Sequence, residues 1–184
     1  MRTPRLHNNA APFIAFLQRY RNDRGALANL RGALSDARKP NAWPLLAGFP
    51  VAIGNPAYET VAALWACDPN LDCANGCLGD TLASLKGEHN SFEGRFKRLL
   101  TCDKFEIFER IVPVIRAAQT KGIRVNYTQL LSDLLWWGNE IWGDEVKVRW
   151  AKSFWGAVEP DDAINPNLLD AEESAAVVTT EVQA

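Results

Sequence analysis

The second half of the chain constrains the fold most, because apolar residues recur there at helical spacing. Between residues 95 and 155 they return every three or four positions, a period that places their side chains on one face of a helix. These positions are Phe96, Leu99, Leu100, Phe105, Phe108, Ile111, Val112, Ile115, Leu130, Leu131, Leu134, Leu135, Val146, Trp150 and Phe154. The pattern predicts several amphipathic helices that share one core.

Basic side chains fill many of the positions between those apolar residues. Residues 95–158 contain eleven Lys and Arg against seven acids, and residues 1–40 contain eight against two. Residues 159–184 contain seven acids and no base. The formal net charge of -2 therefore combines a C-terminal segment of -7 with a remainder of +5. Such a remainder is compatible with a phosphate-binding surface.

Helix signals extend over the rest of the chain, and no stretch predicts a strand. Asn22 or Asp23 can cap one helix and Asn126 another, while residues 58–65 predict a short buried helix. Repeated Pro and Gly predict a long loop over residues 39–56. The expected fold is all-α, a compact bundle of roughly eight or nine helices with this Pro/Gly-rich loop.

The sequence also predicts the limits of the folded part. Residues 1–158 are expected to form a single helical domain whose first nine residues are disordered or loosely attached. Residues 159–184 predict an acidic, mobile tail. Pro113 predicts a kink inside one helix. Gly87 is expected to end one helix, and Asn90 with Glu93 to form a capping box for the next.

Catalytic and metal-binding patterns are weak in this sequence. The four cysteines lack the paired CxxC spacing of structural zinc sites, so reduced thiols are favoured over a metal. His7 and His89 have no context that suggests a catalytic triad, and neither a P-loop nor a GxGxxG motif occurs. We expect no enzyme activity, no cofactor and no bound metal.

The absence of a long apolar run bears on location. No stretch approaches eighteen consecutive apolar residues, which predicts no membrane contact. The N-terminal residues also lack the apolar segment of a signal peptide, so the expected location is cytoplasmic.

Several cations have the spacing of a shared surface. Arg24 and Arg31 are seven residues apart, which is two helical turns, and the pairs Arg95/Arg98 and Arg149/Lys152 can each share a helix face. The predicted nucleic-acid-binding residues are Arg24, Arg31, Arg95, Arg98, Arg116, Lys121, Arg124, Arg149 and Lys152. We expect them to converge into a continuous electropositive strip that holds sugar-phosphate without reading bases.

The order of several short blocks resembles a known family. RFKRLLTCD, a helix ending in KGI, QLLSDLLWWG and VRWAKSFWGA follow one another as in the small subunit of the type I-E CRISPR Cascade complex, the CasB family. DRGALANLRGAL, near the N-terminus, is also similar. The resemblance implies an all-helical, non-enzymatic protein. The cysteine-containing insert and the acidic tail depart from the family pattern.

The resemblance also implies partners and a role. Two copies are expected head to tail beside the backbone subunits and the large subunit. Their basic surface would steady target DNA while guide RNA pairs with one strand, in the R-loop. By position the resemblance assigns this surface to Arg31, Arg95, Arg98, Arg116, Arg149 and Lys152. The alternatives are a protein-bridging scaffold without nucleic-acid contact and, less favoured, a metal-dependent nuclease.

Overall fold

The computed structural model describes residues 4–73, 75–85 and 91–156. Within these ranges the chain is all-α, as predicted, and its extended pairing is limited to one isolated bridge between Asp72 and Val125. The helices are α1 (Ala10–Leu17), α2 (Arg24–Arg31), α3 (Trp43–Leu46), α4 (Pro56–Trp65), α5 (Leu78–Ala83), α6 (Ser91–Thr101), α7 (Glu106–Thr120), α8 (Tyr127–Trp136) and α9 (Gly143–Trp155).

Helix ends follow the capping signals of the sequence. The Asp23 carboxylate accepts a hydrogen bond from the Ala26 N–H at 2.9 Å and begins α2. The Asn126 side chain accepts from the Gln129 N–H at 2.9 Å and begins α8. Gly122 adopts a φ of +69° just after α7, a conformation that other residues rarely adopt. The caps predicted at Asp23 and Asn126 are therefore confirmed.

The prediction of a long loop over residues 39–56 is wrong. Short 3₁₀ turns occupy Lys39–Asn41 and Pro50–Ala52, and α3 lies between them. Each of these elements, and also α4, carries a proline in its first two positions. A proline there is compatible with a helix because its fixed φ suits the first turn and its missing N–H has no partner to lose.

The expectation that the N-terminal residues are loosely attached is also wrong for residues 4–9. The His7 backbone N–H donates to the Ser132 hydroxyl at 2.8 Å, and the Trp136 indole donates to the Arg5 carbonyl at 3.1 Å. The His7 and Trp136 rings lie 5.2 Å apart. This segment is therefore attached to α8.

Helix α4 lies at the centre of the core. Every residue from Ala57 to Trp65 is buried, and α4 packs against α2, α7 and α8. Two cation-bearing helices, α2 and α7, are thereby held against the same central element. Helix α5 crosses α9, and α6 packs against α7. None of the helices in the described ranges has the length and apolar character needed to cross a membrane.

Several predictions fall on residues outside the described ranges. They concern the helix end at Gly87, the Asn90 capping position and the character of residues 159–184. Pro113 lies within α7, which extends on both sides of it.

Candidate nucleic-acid interface

Arg149 is partly buried and pairs with a buried carboxylate. Its guanidinium forms an ion pair with Asp133, whose side chain is 0% exposed, while 21% of the Arg149 side chain is exposed. Asp133 also accepts hydrogen bonds from the Trp150 indole at 2.6 Å and the Gln129 amide at 2.7 Å. Burial raises the pKa of Asp133 to about 6, although Arg149 opposes the shift. Arg149 thus joins α9 to α8, and we do not retain it as a phosphate ligand.

Arg31 and Arg116 lie near one point at the C-terminal end of α4. Arg31 ends α2, Arg116 lies in the second half of α7, and both helices pack on α4. Cys67, half-buried, follows α4. Burial raises the pKa of the Cys67 thiol, whereas the positive charges of Arg116 and Arg31 act to lower it. Both guanidinium groups therefore lie within electrostatic range of the Cys67 thiol, on two helices that pack on the same element.

Two more arginines adjoin the loop that begins at Cys67. The Arg21 guanidinium donates to the Asn70 side-chain oxygen at 2.9 and 3.3 Å. Arg124 precedes Val125, whose N–H donates to the Leu71 carbonyl at 2.8 Å and whose carbonyl accepts from the Cys73 N–H at 3.1 Å. Four arginines thus come from segments that adjoin loop 67–73, and they are here called the arginine cluster: Arg21, Arg31, Arg116 and Arg124.

The arginine cluster is exposed and has few acidic neighbours. All four side chains are exposed, and within the described ranges no carboxylate forms an ion pair with any of them. Asp68 accepts from the Asn70 N–H, so its carboxylate serves the turn. Asp72 is half-buried and accepts from the Gln18 amide at 3.4 Å. The Arg21 charge acts on Asp72, and the four arginines outnumber these two carboxylates, so the net charge around loop 67–73 is positive.

Arg21 was missed by the sequence reasoning. It lies outside the periodic stretch and precedes the cap of α2, so no spacing relates it to Arg31 or Arg116. Only the fold places it beside loop 67–73.

A second group of predicted cations lies on α6 and α9. Stacking of Phe96 on Phe154, with ring centroids 4.1 Å apart, joins the two helices. Arg95 and Arg98 are exposed on α6, and Lys152 is exposed on α9. Helix α7, which carries Arg116 of the arginine cluster, packs on both α4 and α6 and so connects the elements of the two groups. A continuous strip that joins the two groups stays a prediction.

The two remaining predicted residues lie beside the arginine cluster in the chain. Arg24 is exposed in the first turn of α2, two turns before Arg31. Lys121 is exposed and follows the last residue of α7. Both extend the basic character of the elements that carry the cluster.

The cysteines are thiols in this structure. Cys67 and Cys73 are partly buried, whereas Cys77 and Cys102 are buried. Within the described residues, no three His, Cys, Asp or Glu side chains are grouped as metal ligands. Burial raises the pKa of Cys67, Cys77 and Cys102, which favours the neutral thiol over the nucleophilic thiolate.

Comparison with protein-family models identifies the family of this chain. The family model for the CRISPR-associated protein Cse2 matches residues 26–155, which is more than two thirds of the sequence. The chain belongs to the Cse2 family. The predicted membership of the CasB family of type I-E Cascade is confirmed. The Cse2 match includes Arg31, Arg116 and Arg124 of the arginine cluster, whereas Arg21 precedes it.

Solved structures of Cse2 and CasB proteins share this fold. CasB from Thermus thermophilus is 26% identical, with a TM-score of 0.68, and the match covers 82% of this chain and 100% of that one. M. ruber CasB is 21% identical, with a TM-score of 0.63 and coverage of 94% and 99%. A chain of a CRISPR RNA-guided surveillance complex is 17% identical, with a TM-score of 0.66 and coverage of 91% and 97%. Comparison with curated protein sequences gave no significant match.

Proposed function

We propose that this Cse2-family chain is a non-catalytic subunit of an RNA-guided CRISPR surveillance complex and that its arginine cluster holds target DNA in the R-loop. The observation that carries the proposal is the convergence of four exposed arginines around loop 67–73. They come from four separate segments of the chain, and no carboxylate in the described ranges pairs with them.

The chemistry of these groups suits a sugar-phosphate backbone. A guanidinium is always charged at physiological pH and presents a planar set of donors that matches a phosphate. Each neutralised phosphate releases condensed counterions, so a few contacts give salt-sensitive affinity that is independent of sequence. Sequence recognition is left to guide-RNA pairing, and the exchange of duplex for R-loop is nearly balanced in free energy. A few phosphate contacts can therefore decide how long the open state persists.

The expected partners are the guide RNA–target DNA R-loop, the backbone and large subunits and a second copy of this chain. The support for assembly is the family and the fold, which is shared with a chain of a surveillance complex. Two large apolar side chains are also unusually exposed, Phe105 at 70% and Ile141 at 71%. They favour protein contacts, and a purely bridging role without nucleic-acid contact is therefore the second candidate.

The test is a salt series on the assembled complex. The complex would be reconstituted with the Arg31→Gln/Arg116→Gln subunit, and the dissociation constant for target DNA would be measured at several salt concentrations. We expect weaker binding and a shallower dependence of log K on log salt, by about 0.7 to 0.9 for each lost phosphate contact. Size-exclusion chromatography would verify that assembly is intact.

A matched control distinguishes the two candidate functions. Lys104→Gln/Arg110→Gln removes the same charge from exposed positions outside the arginine cluster and should leave the salt slope unchanged. If Arg31→Gln/Arg116→Gln also leaves affinity and slope unchanged, the DNA-binding role is wrong and protein bridging is favoured. Weak assembly with the cluster variant alone would lead to the same conclusion.

A further inference from the structure

The acidic C-terminal segment has a composition opposite to that of the arginine cluster. Residues 159–184 contain seven acids and no Lys, Arg or His, a net charge of -7. They follow the end of α9 and lie beyond the Cse2 match, which ends at residue 155. They lie outside the described ranges.

The length of this segment is sufficient to reach the cluster. An extended chain spans roughly 3.3 to 3.6 Å per residue, so these residues can reach about 85 Å from the end of α9. A folded domain of this size has a radius of gyration of about 15 Å. Any exposed point on the folded part is therefore within reach, and tethering gives a local concentration on the order of 1 mM.

The arginine cluster offers a binding surface for carboxylates as well as for phosphates. Its guanidinium groups are exposed and form no ion pair within the described ranges, and a guanidinium binds either anion through two parallel hydrogen bonds. An acidic peptide presents several negative charges in sequence, as a nucleic-acid strand does. At physiological salt, screening limits the interaction between exposed charges to about 8 Å. The segment would therefore have to lie on the cluster to neutralise its charge.

We propose that residues 159–184 bind the arginine cluster when nucleic acid is absent and compete with DNA for it. The inference rests on the proposed function, because it assumes that the cluster is the DNA-binding surface. The consequence of this competition is selectivity for DNA that the assembled complex presents. Weak, non-specific DNA contacts are suppressed, whereas a strand presented by the assembled complex displaces the acidic segment.

The experiment compares two forms of the full-length chain. In one, all seven acids after residue 158 are changed to Asn or Gln; in the other, the tail sequence is wild type. Binding of a single-stranded and a duplex oligonucleotide would be measured by fluorescence anisotropy over a salt series. We expect the neutralised chain to bind at least about fivefold more tightly at low salt, with the difference disappearing as salt screens the tail.

A double-mutant comparison separates binding at the cluster from a general charge effect. Removing seven negative charges raises affinity for DNA through the net charge alone. If the segment lies on the cluster, Arg31→Gln/Arg116→Gln should remove most of the gain in DNA affinity that neutralising the tail produces. Lys104→Gln/Arg110→Gln should preserve that gain. An equal gain in both backgrounds would overturn the inference.

The remaining outcomes separate the inference from the proposed function. Tight, salt-sensitive binding that is the same with either tail overturns the inference and leaves the DNA-binding role intact. Absence of binding with either tail, together with unchanged DNA affinity of the assembled Arg31→Gln/Arg116→Gln complex, overturns both.

Discussion

At the scale of single residues, Arg149 illustrates how burial changes the role of a cation. Its three-residue spacing from Lys152 suggests an exposed phosphate ligand, but the structure places its guanidinium against the fully buried Asp133. A buried charge is tolerated only when it is paired and hydrogen-bonded. Asp133 meets this condition through Arg149, Trp150 and Gln129.

We predict that Arg149→Met destabilises the protein strongly. The substitution keeps most of the side-chain volume but leaves the Asp133 carboxylate buried without its counter-charge, which costs about 3 to 5 kcal/mol. Urea denaturation at neutral pH would measure the loss. Arg98→Met, at an exposed position on α6, is the control and should change stability by less than about 0.5 kcal/mol. Similar stability of the two variants would contradict the buried pair.

Asp133 also predicts a dependence of stability on pH. Burial raises its pKa from 3.8 to about 6 in the folded protein, so the folded state holds a proton that the unfolded state releases between these values. The contribution of this group is fully present below pH 3.8 and is lost as pH rises through about 6. The stability of wild type minus that of Asp133→Asn should therefore fall between about pH 4.5 and pH 7. A difference that is constant over this range would contradict the shift.

At the scale of elements, the crossing of α5 and α9 depends on a glycine. A Cβ on Gly79 would lie 2.8 Å from the Ser153 Cβ and still closer to the Trp150 carbonyl oxygen. The backbone of α9 cannot yield as a flexible side chain can. The contact also carries a hydrogen bond, because the Cys77 thiol donates to the Ser153 hydroxyl at 3.3 Å.

Gly79→Ala is accordingly expected to separate α5 from α9 and to destabilise the protein by about 3 kcal/mol. The matched control is Gly94→Ala in α6, where a Cβ would meet no atom of another element within 4 Å. Alanine favours helix more than glycine does, so Gly94→Ala should raise stability by up to about 1 kcal/mol. Thermal unfolding followed by circular dichroism would measure both changes, and a neutral Gly79→Ala would be evidence against the close crossing.

At the scale of the whole molecule, the arginine cluster exists only because distant segments meet. Arg21 follows a turn after α1, Arg31 ends α2, Arg116 lies in α7 and Arg124 precedes α8. Their common neighbour is loop 67–73, which is held by Val125 on one side and continues from α4 on the other. Packing of α2 and α7 on α4 places Arg31 and Arg116, whereas the hydrogen bonds of Asn70 and Val125 place Arg21 and Arg124.

Cys67 provides a test of this convergence without nucleic acid. Arg116 and Arg31 lower the pKa of its thiol against the effect of burial, so their loss should raise that pKa further. We predict slower alkylation of Cys67 by iodoacetamide, a neutral reagent, in Arg31→Gln/Arg116→Gln than in wild type. Mass spectrometry of the Cys67 peptide over a range of pH would measure the rate. Lys104→Gln/Arg110→Gln should not change it, and equal rates in all three proteins would place the two arginines away from the thiol.

Local signals account for what could be predicted from the sequence. Apolar spacing and the side chains of Asp23 and Asn126 predict the helices and their caps, because these depend on contacts within a few residues. The prediction over residues 39–56 failed because a proline is compatible both with a loop and with a first helical turn. Packing decides between the two. The attachment of residues 4–9 depends on Ser132 and Trp136, more than a hundred residues away.

The sequence by itself thus determined the all-α class, the helix ends and the division of charge between a basic remainder and an acidic C-terminal segment. Only the tertiary structure decided which cations are available for binding. It paired the partly buried Arg149 with the buried Asp133, and it placed Arg21 in a cluster with Arg31, Arg116 and Arg124. The physical reason is that a side chain's exposure and its charged neighbours depend on how helices pack, whereas spacing along the sequence defines only the face of one helix.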